Sequence, residues 1–329
     1  MSDQRPRVLH LLDSPRAGGG GGAVGSLAAC SFIRDSLPEF AHTPLLLGPT
    51  AWARQAADAG LGGGYSVALS PDPVERVLGR VGLLRSWPRR SVPADAAVFD
   101  RVIAWSTGAA AWWRRRAPGS DCFVLPMDRP LAEWSELGLP APIVTPSAPR
   151  RRAAPAGLGV VVGLIADPPD AGDARLTAWV GTLLESMGVH TTGVLSHRMG
   201  YKPEAVRLHR QLENTNGLLT PQGVLPTLLV EMDAAVVQPV SEPIASVATL
   251  VGLARGLGVR TVVPSSMRRL LEITGGGDDR LAAPGDTARD FAQSLADGYE
   301  PEPVDLAEPA AAFAEAVRSA VAAWGRASA

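Results

Sequence analysis

The residues best placed to do chemistry in this chain lie in Met232–Pro264, MDAAVVQPVSEPIASVATLVGLARGLGVRTVVP. Ala234–Val237 reads as a short buried strand, and Ser241, Glu242, Pro243 and Ile244 fill the loop after it. Small residues at helical spacing follow, and Arg260–Val263 reads as a second buried strand. A right-handed strand-helix-strand crossover makes the two strands parallel. Glu242 and Ser241 then stand at the carboxyl end of a sheet, where open α/β folds hold ligands. The same Glu242 also suits a helix start, where an acid meets the favourable end of the dipole.

A second candidate is the glycine run Gly18–Gly22 with Gly25, which contains G-x-G-x-x-G at Gly20, Gly22 and Gly25. A dinucleotide site needs the first glycine at a strand end and an acid closing the next strand. Here Asp13–Ala17 separates strand from glycines, and the next strand ends Leu46-Leu47-Gly48 with no acid, so a dehydrogenase reading fails. What stays open is a flexible surface loop or a set of backbone N–H groups that favours an anion at the following helix start. The histidines do not assemble: His10 lies in the first strand and reads as a core residue, while His42, His190, His197 and His209 lack metal or triad spacing. No metal and no organic cofactor is expected.

The elements that must position these residues alternate along the chain. Arg7–Leu12, Thr43–Leu47, Tyr65–Leu69, Val98–Ala104, Cys122–Leu125 and Pro142–Val144 read as strands. Ala23–Ser36, Thr50–Ala59, Pro73–Trp87 and Thr107–Arg116 read as helices between them. Composition shifts at Pro146–Gly157, PSAPRRRAAPAG, which reads as a linker. A second alternation follows: strand Gly159–Ile165, helix Ala174–Met187, strand Val189–Leu195, helix Pro203–Glu213, strand Gly217–Leu219 and helix Val224–Glu231. The Met232–Pro264 unit and the helices Arg268–Ile273, Thr287–Leu295 and Ala307–Trp324 complete it. With 329 residues, 46% of them hydrophobic and 19% charged, the chain can build two cored α/β domains. The expected division is 1–150, 151–305, and a closing helix at 306–329 that packs back towards the first domain. A net charge of −2 gives no general pull towards nucleic acid, and none is expected as a partner. Cys30 and Cys122, far apart in apolar surroundings, read as small buried hydrophobes. MSDQRPRVLHLL has no signal-peptide core and no run approaches transmembrane length, so a cytoplasmic location is expected.

The order D-A-apolar-x-P-x-S-E-P, a small-residue helix and G-V-R-T-V-V resembles the donor-binding signature of retaining glycosyltransferases of the GT-B fold, family-4-like in pattern. APGDTA at Ala283–Ala288, the glycine loop and the hinge extend the resemblance over most of the chain. It implies α/β GT-B architecture: two Rossmann-like doubly wound domains facing a central cleft. It implies transfer of a sugar, with retention, from a nucleotide-sugar donor to a glycan or lipid-linked acceptor. Glu242 would be the catalytic-site acid. Gly19, Gly20, Gly21, Ser241, Pro243 and Ile244 would approach the donor. Two departures stand out. The family's second glutamate, eight positions on, is Leu250 here, which costs several kcal/mol of ribose binding. Its diphosphate cations would fall near Leu164 and near Asp170 or Ala171, none of them basic; Arg175, Arg198 and Lys202 are the candidates to replace them, or are ordinary surface charge. Where the family often has a histidine, the chain has Trp105-Ser106-Thr107.

These losses raise a rival of another class: a non-catalytic GT-B domain that binds a carbohydrate, nucleotide or partner protein. A sugar-nucleotide epimerase is a third reading, against which stands the lack of a visible carboxylate and histidine set. Arg76–Arg90 and Trp112–Arg116 combine arginines with tryptophan. Each reads either as a surface helix with its apolar face in the core or as a peripheral contact with anionic membrane.

Overall fold

The computed structural model describes residues 5–14, 23–48, 56, 61, 65–67, 99–147, 159–167, 174–194, 218–219, 225–276, 279–298 and 301–327. Strands β1 (Arg7–Asp13), β2 (Ala41–Leu47), β3 (Tyr65–Val67), β4 (Arg101–Ala104) and β5 (Phe123–Val124) form one sheet in the order β3-β2-β1-β4-β5. Strands β6 (Val160–Ile165), β7 (Thr191–Val194), β8 (Leu218–Leu219), β9 (Ala234–Val237) and β10 (Arg260–Val262) form a second, in the order β10-β9-β6-β7-β8. All neighbouring strands are parallel. Each sheet begins at its centre, builds to one edge and then crosses to the other side of its first strand. That reversal opens a crevice at the carboxyl ends of β1 and β4, and another at those of β6 and β9. The apolar runs of β6 and β9, and the unbroken burial of Val8–Leu12 in β1, fit strands covered on both faces.

The helices are α1 (Ala23–Ser36), α2 (Thr107–Arg116), α3 (Leu131–Glu136), α4 (Ala174–Ser186), α5 (Leu225–Leu228), α6 (Ala245–Gly256), α7 (Arg269–Ile273), α8 (Ala288–Ala296) and α9 (Ala307–Ala327). Helix α6 is buried at every position from Ala245 to Arg255, as a helix with small and apolar residues all round must be. It packs on α1 between the two sheets, so that one apolar core runs from Val8 and Leu27 through Val247 and Val251 to Phe313. Helix α2 covers the outer face of the first sheet, and α4 with α8 that of the second. The APGDTA segment is the start of α8: Thr287 caps it in a reciprocal capping box with Asp290.

Pro142–Val144 is not a strand. It belongs to an irregular segment, 139–147, that lies along α6. Pro140, Pro142 and Pro146 offer no N–H to a ladder, and the Pro142 carbonyl accepts instead from Thr249 Oγ1 at 2.6 Å. Helix α3 has no counterpart in the expected elements. It starts at Pro130, and Trp134 Nε1 donates to the Pro126 carbonyl at 2.9 Å. Helix α9 reaches the first sheet. Phe313 lies 6.2 Å from Trp134 between ring centroids, Arg101 Nε donates to the Val321 carbonyl at 3.1 Å, and Arg318 pairs with Glu39 at 2.8 Å. Exposed ion pairs contribute little, so the buried Phe313, Val317 and Val321 hold this helix.

Candidate functional site

Acids stand at or just past the carboxyl ends of strands in both sheets. In the first sheet β1 closes with Asp13 and Ser14, and β4 is followed by Trp105, Ser106 and Thr107. Ser106 caps α2, accepting from the Ala109 amide at 2.9 Å, and its hydroxyl donates to the Asp13 carboxylate. Asp128, beyond β5, accepts from the Thr107 amide at 3.1 Å and from its hydroxyl at 2.5 Å. Burial pushes the Asp13 carboxyl up to about 6; the charges of Asp128 and Asp167 add to that, while the Ser106 hydrogen bond and Asp13's own amide oppose it. Asp13 keeps partial exposure to solvent. A carboxyl that titrates near pH 6 and is mostly ionised at neutral pH, at a strand end over a crevice, is fit to take up or release a proton.

Asp167, two residues past the end of β6, reaches the other half of the molecule. Its carboxylate accepts from the amides of Val24 at 3.1 Å and Gly25 at 3.2 Å, in the first turn of α1, and from the Ser246 hydroxyl. The Gly25 amide also reaches Ser246 Oγ at 2.8 Å. A Cβ on Gly25 would come within 2.2 Å of that oxygen and 2.7 Å of the Ser246 backbone, so only glycine admits this approach. In return, the first half occupies the start of α6. The Ala245 amide donates to the Arg129 carbonyl at 2.9 Å and the Ser246 amide to the Met127 carbonyl at 3.2 Å. Pro130 and Ile244 form an antiparallel bridge, with the Leu131 amide donating to the Pro243 carbonyl at 3.2 Å.

Among the residues expected from sequence, Ser241 and Glu242 are exposed in the loop between β9 and α6. Pro243 and Ile244 face the first half through their backbone. Leu250 is fully buried in α6, and Leu164 is buried in the core between the second sheet and α4 with α8. The side chains of Gly19, Gly20 and Gly21 do not exist to be placed; these positions, with Arg198, Lys202 and Arg76–Arg90, lie outside the described residues, while Arg175 is exposed on α4. In α2, Arg114, Arg115 and Arg116 are exposed, Trp113 is buried and Trp112 is partly exposed. Asp13, Asp128 and Asp167 were not singled out by sequence, yet they form the carboxylate set. The available signal was a parallel one: RVLHLLD ends the opening strand of the first sheet on an acid, and VVVGLIAD carries an acid two residues past the end of the opening strand of the second. Among the described residues no group of three or more His, Cys, Asp or Glu is arranged to hold a metal ion, and no helix is long and apolar enough to cross a membrane.

His10 is buried and committed. Trp105 Nε1 donates to His10 Nδ1 at 3.1 Å, which leaves the proton on Nε2 to be donated to His42 Nδ1 at 2.8 Å; His42 Nε2 then donates to the Leu37 carbonyl at 2.8 Å. An indole can only donate and a carbonyl only accept, so the two ends fix both tautomers. Burial holds both histidines below the ordinary value, His10 well below. Trp105, in the place where the resembled family often has a histidine, thus makes the lid of a neutral core relay.

No protein-family model matches the chain, and no curated protein matches its sequence. Solved structures do match its shape. A candidate UDP-N-acetylglucosamine 2-epimerase from Listeria monocytogenes aligns at 12% identity over 95% of this chain and 91% of its own, with a TM-score of 0.53. The E. coli heptosyltransferase WaaC with ADP aligns at 15% identity over 89% of this chain and 98% of its own, with a TM-score of 0.43. A family 9 glycosyl transferase from Veillonella parvula aligns at 12% over 80% and 82%, with a TM-score of 0.41. Two parallel five-stranded sheets, each with a switch point beside its first strand, together with the likeness in shape to the first of these, give the chain the GT-B fold.

Proposed function

We propose that this protein is a cytoplasmic glycosyltransferase that moves a sugar from a nucleotide-sugar donor to a glycan or lipid-linked acceptor in the cleft between its halves. Residues 1–150 serve the acceptor, 151–305 serve the donor, and the helix from 306 ties the second to the first. The observation that carries the reading is Asp13: a strand-end carboxyl, held by Ser106 at a switch-point crevice, with its pKa pushed up to about 6. As carboxylate it takes the proton of an acceptor hydroxyl while the sugar leaves its diphosphate. Glu242, exposed in the loop before α6, faces donor hydroxyls, with Ser241 beside it. Gly19–Gly21, Arg198 and Lys202 supply contacts to the diphosphate. The exposed arginines of α2 offer the peripheral membrane contact a lipid-linked acceptor needs.

The Met232–Pro264 resemblance implies retention of configuration. A carboxylate base instead supports attack from the face opposite the leaving diphosphate, which inverts. The test is incubation with a panel of nucleotide sugars and acceptors, the product anomer being read by proton NMR. Turnover lost in Asp13→Asn and kept in His10→Leu supports the assignment; turnover that survives Asp13→Asn refutes it. The same spectra show whether UDP-N-acetylglucosamine is epimerised. A non-catalytic reading is favoured by one observation: the amides at the starts of both α1 and α6 are already hydrogen-bonded within the protein. No turnover and no thermal shift with any donor would establish it.

A further inference from the structure

The two helix starts that face the cleft are each occupied by the opposite half. At α1 the occupant is an anion, the Asp167 carboxylate, bonded by two successive amides, Val24 and Gly25, and by Ser246. At α6 the occupants are the carbonyls of Met127 and Arg129. A helix start offers amides and a favourable potential to one anion at a time. A phosphate brought to α1 would meet the Asp167 carboxylate already on the same amides. Gly25 is what allows the contact: it lies against Ser246 where no other residue fits. Below these contacts α1 and α6 share one apolar core, so release parts the N-terminal ends of the helices and leaves the halves joined.

We propose that Asp167, with Ser246 and Gly25, is an autoinhibitory latch in which the second half of the protein supplies its own carboxylate to the anion-binding start of α1, so that the latched cleft and phosphate at α1 exclude each other. The latch is independent of sugar transfer; it holds equally for a cleft that only binds. Two variants open it by different means. Asp167→Ala removes the anion, and Gly25→Ala drives a methyl group into Ser246 without altering charge. Amide hydrogen exchange on the full chain is the readout, with inorganic pyrophosphate as the anion probe. In the wild type the amides of Val24, Gly25, Ala245 and Ser246 should exchange slowly. Both variants should speed all four at least tenfold while Leu9 and Leu11 in β1 stay protected, and both should bind pyrophosphate at least tenfold more tightly than wild type. Unchanged protection in Asp167→Ala, pyrophosphate affinity that does not rise, or loss of protection in β1 as well would each overturn the latch. Absence of donor turnover in all three proteins would count against the transferase and leave this result standing.

Discussion

Asp13 gives a sharp test because its role in the cleft carries a cost in stability that can be measured without a substrate. Its carboxyl is raised from 3.8 to about 6. A carboxyl whose folded pKa lies above its unfolded value binds its proton more tightly in the native state. That contribution favours folding below pH 3.8 and is lost as pH rises through 6. At about 1.4 kcal/mol per unit, two units make the ionised Asp13 a burden of about 3 kcal/mol at neutral pH. Asp13→Asn removes the charge and keeps an oxygen for the Ser106 hydroxyl. Allowing for partial exposure and imperfect replacement, the variant should be more stable than wild type by about 1–3 kcal/mol at pH 7.5, with the gain vanishing near pH 4. Urea unfolding followed by the fluorescence of the buried Trp105, Trp113 and Trp134 measures both ends of the range. The difference between the two proteins cancels the titrating groups that do not interact with Asp13; Asp128 and Asp167, which do, enter it. Equal stability at pH 7.5, or a variant less stable there, would falsify the claim that burial strains this carboxylate.

Three further outcomes are expected. The Trp105–His10–His42–Leu37 relay is neutral, with both histidine pKa values depressed by burial; its contribution is present above about pH 6.5 and lost as pH falls below that. His10→Leu should flatten this loss and cost about 2–4 kcal/mol at pH 7.5 by leaving the Trp105 and His42 nitrogens without partners, as read by the same unfolding assay over pH 5–8. Leu250→Glu, which restores the family's second glutamate in sequence, should destabilise by more than about 4 kcal/mol, since it buries an unpaired acid in α6; a folded variant with tighter donor binding on calorimetry would refute this. Uridine, guanosine and adenosine diphosphates should bind wild type at about 1 mM or more weakly, and weaker still in Glu242→Ala; micromolar binding indifferent to that change would remove Glu242 from the site.

The strand Ala234–Val237 and the helix Thr107–Arg116 were legible to the residue because each carries its own boundaries. The first is an apolar run between Asp233 and Gln238-Pro239; the second starts at Ser106 and ends before Pro118-Gly119. Pro142–Val144 failed for the opposite reason. Ile143 and Val144 are buried, as a strand would bury them, but burial is also what an irregular segment over α6 achieves, and the prolines decide between the two. Helix α3 was hidden by its length, since six residues cannot display a period. Asp13, Asp128 and Asp167 come from segments more than a hundred residues apart at the extremes, and only the order of the strands brings their loops together. Leu250 was read as a missing ligand. Its side chain is fully buried in the apolar core that α6 shares with α1.

Charge connects these departures. Where the resembled family sets cations to meet a diphosphate, this chain has Leu164, buried beneath α4 and α8 and unable to host an arginine without desolvating it. Toward the cleft stand three carboxylates, each near enough to shift or bond a group there. At an effective dielectric constant of about 20, one such charge about 6 Å from a unit negative charge repels it by about 3 kcal/mol. A diphosphate therefore gains access only if Asp167 leaves α1, if Asp13 takes up a proton, or if Arg198 and Lys202 come to meet it. The first two are built into residues whose geometry is defined here. Ligand binding should then carry a proton with it, and a diphosphate that favours pH 5.5 over pH 7.5 would tie the raised Asp13 pKa and the α1 contact to the same event.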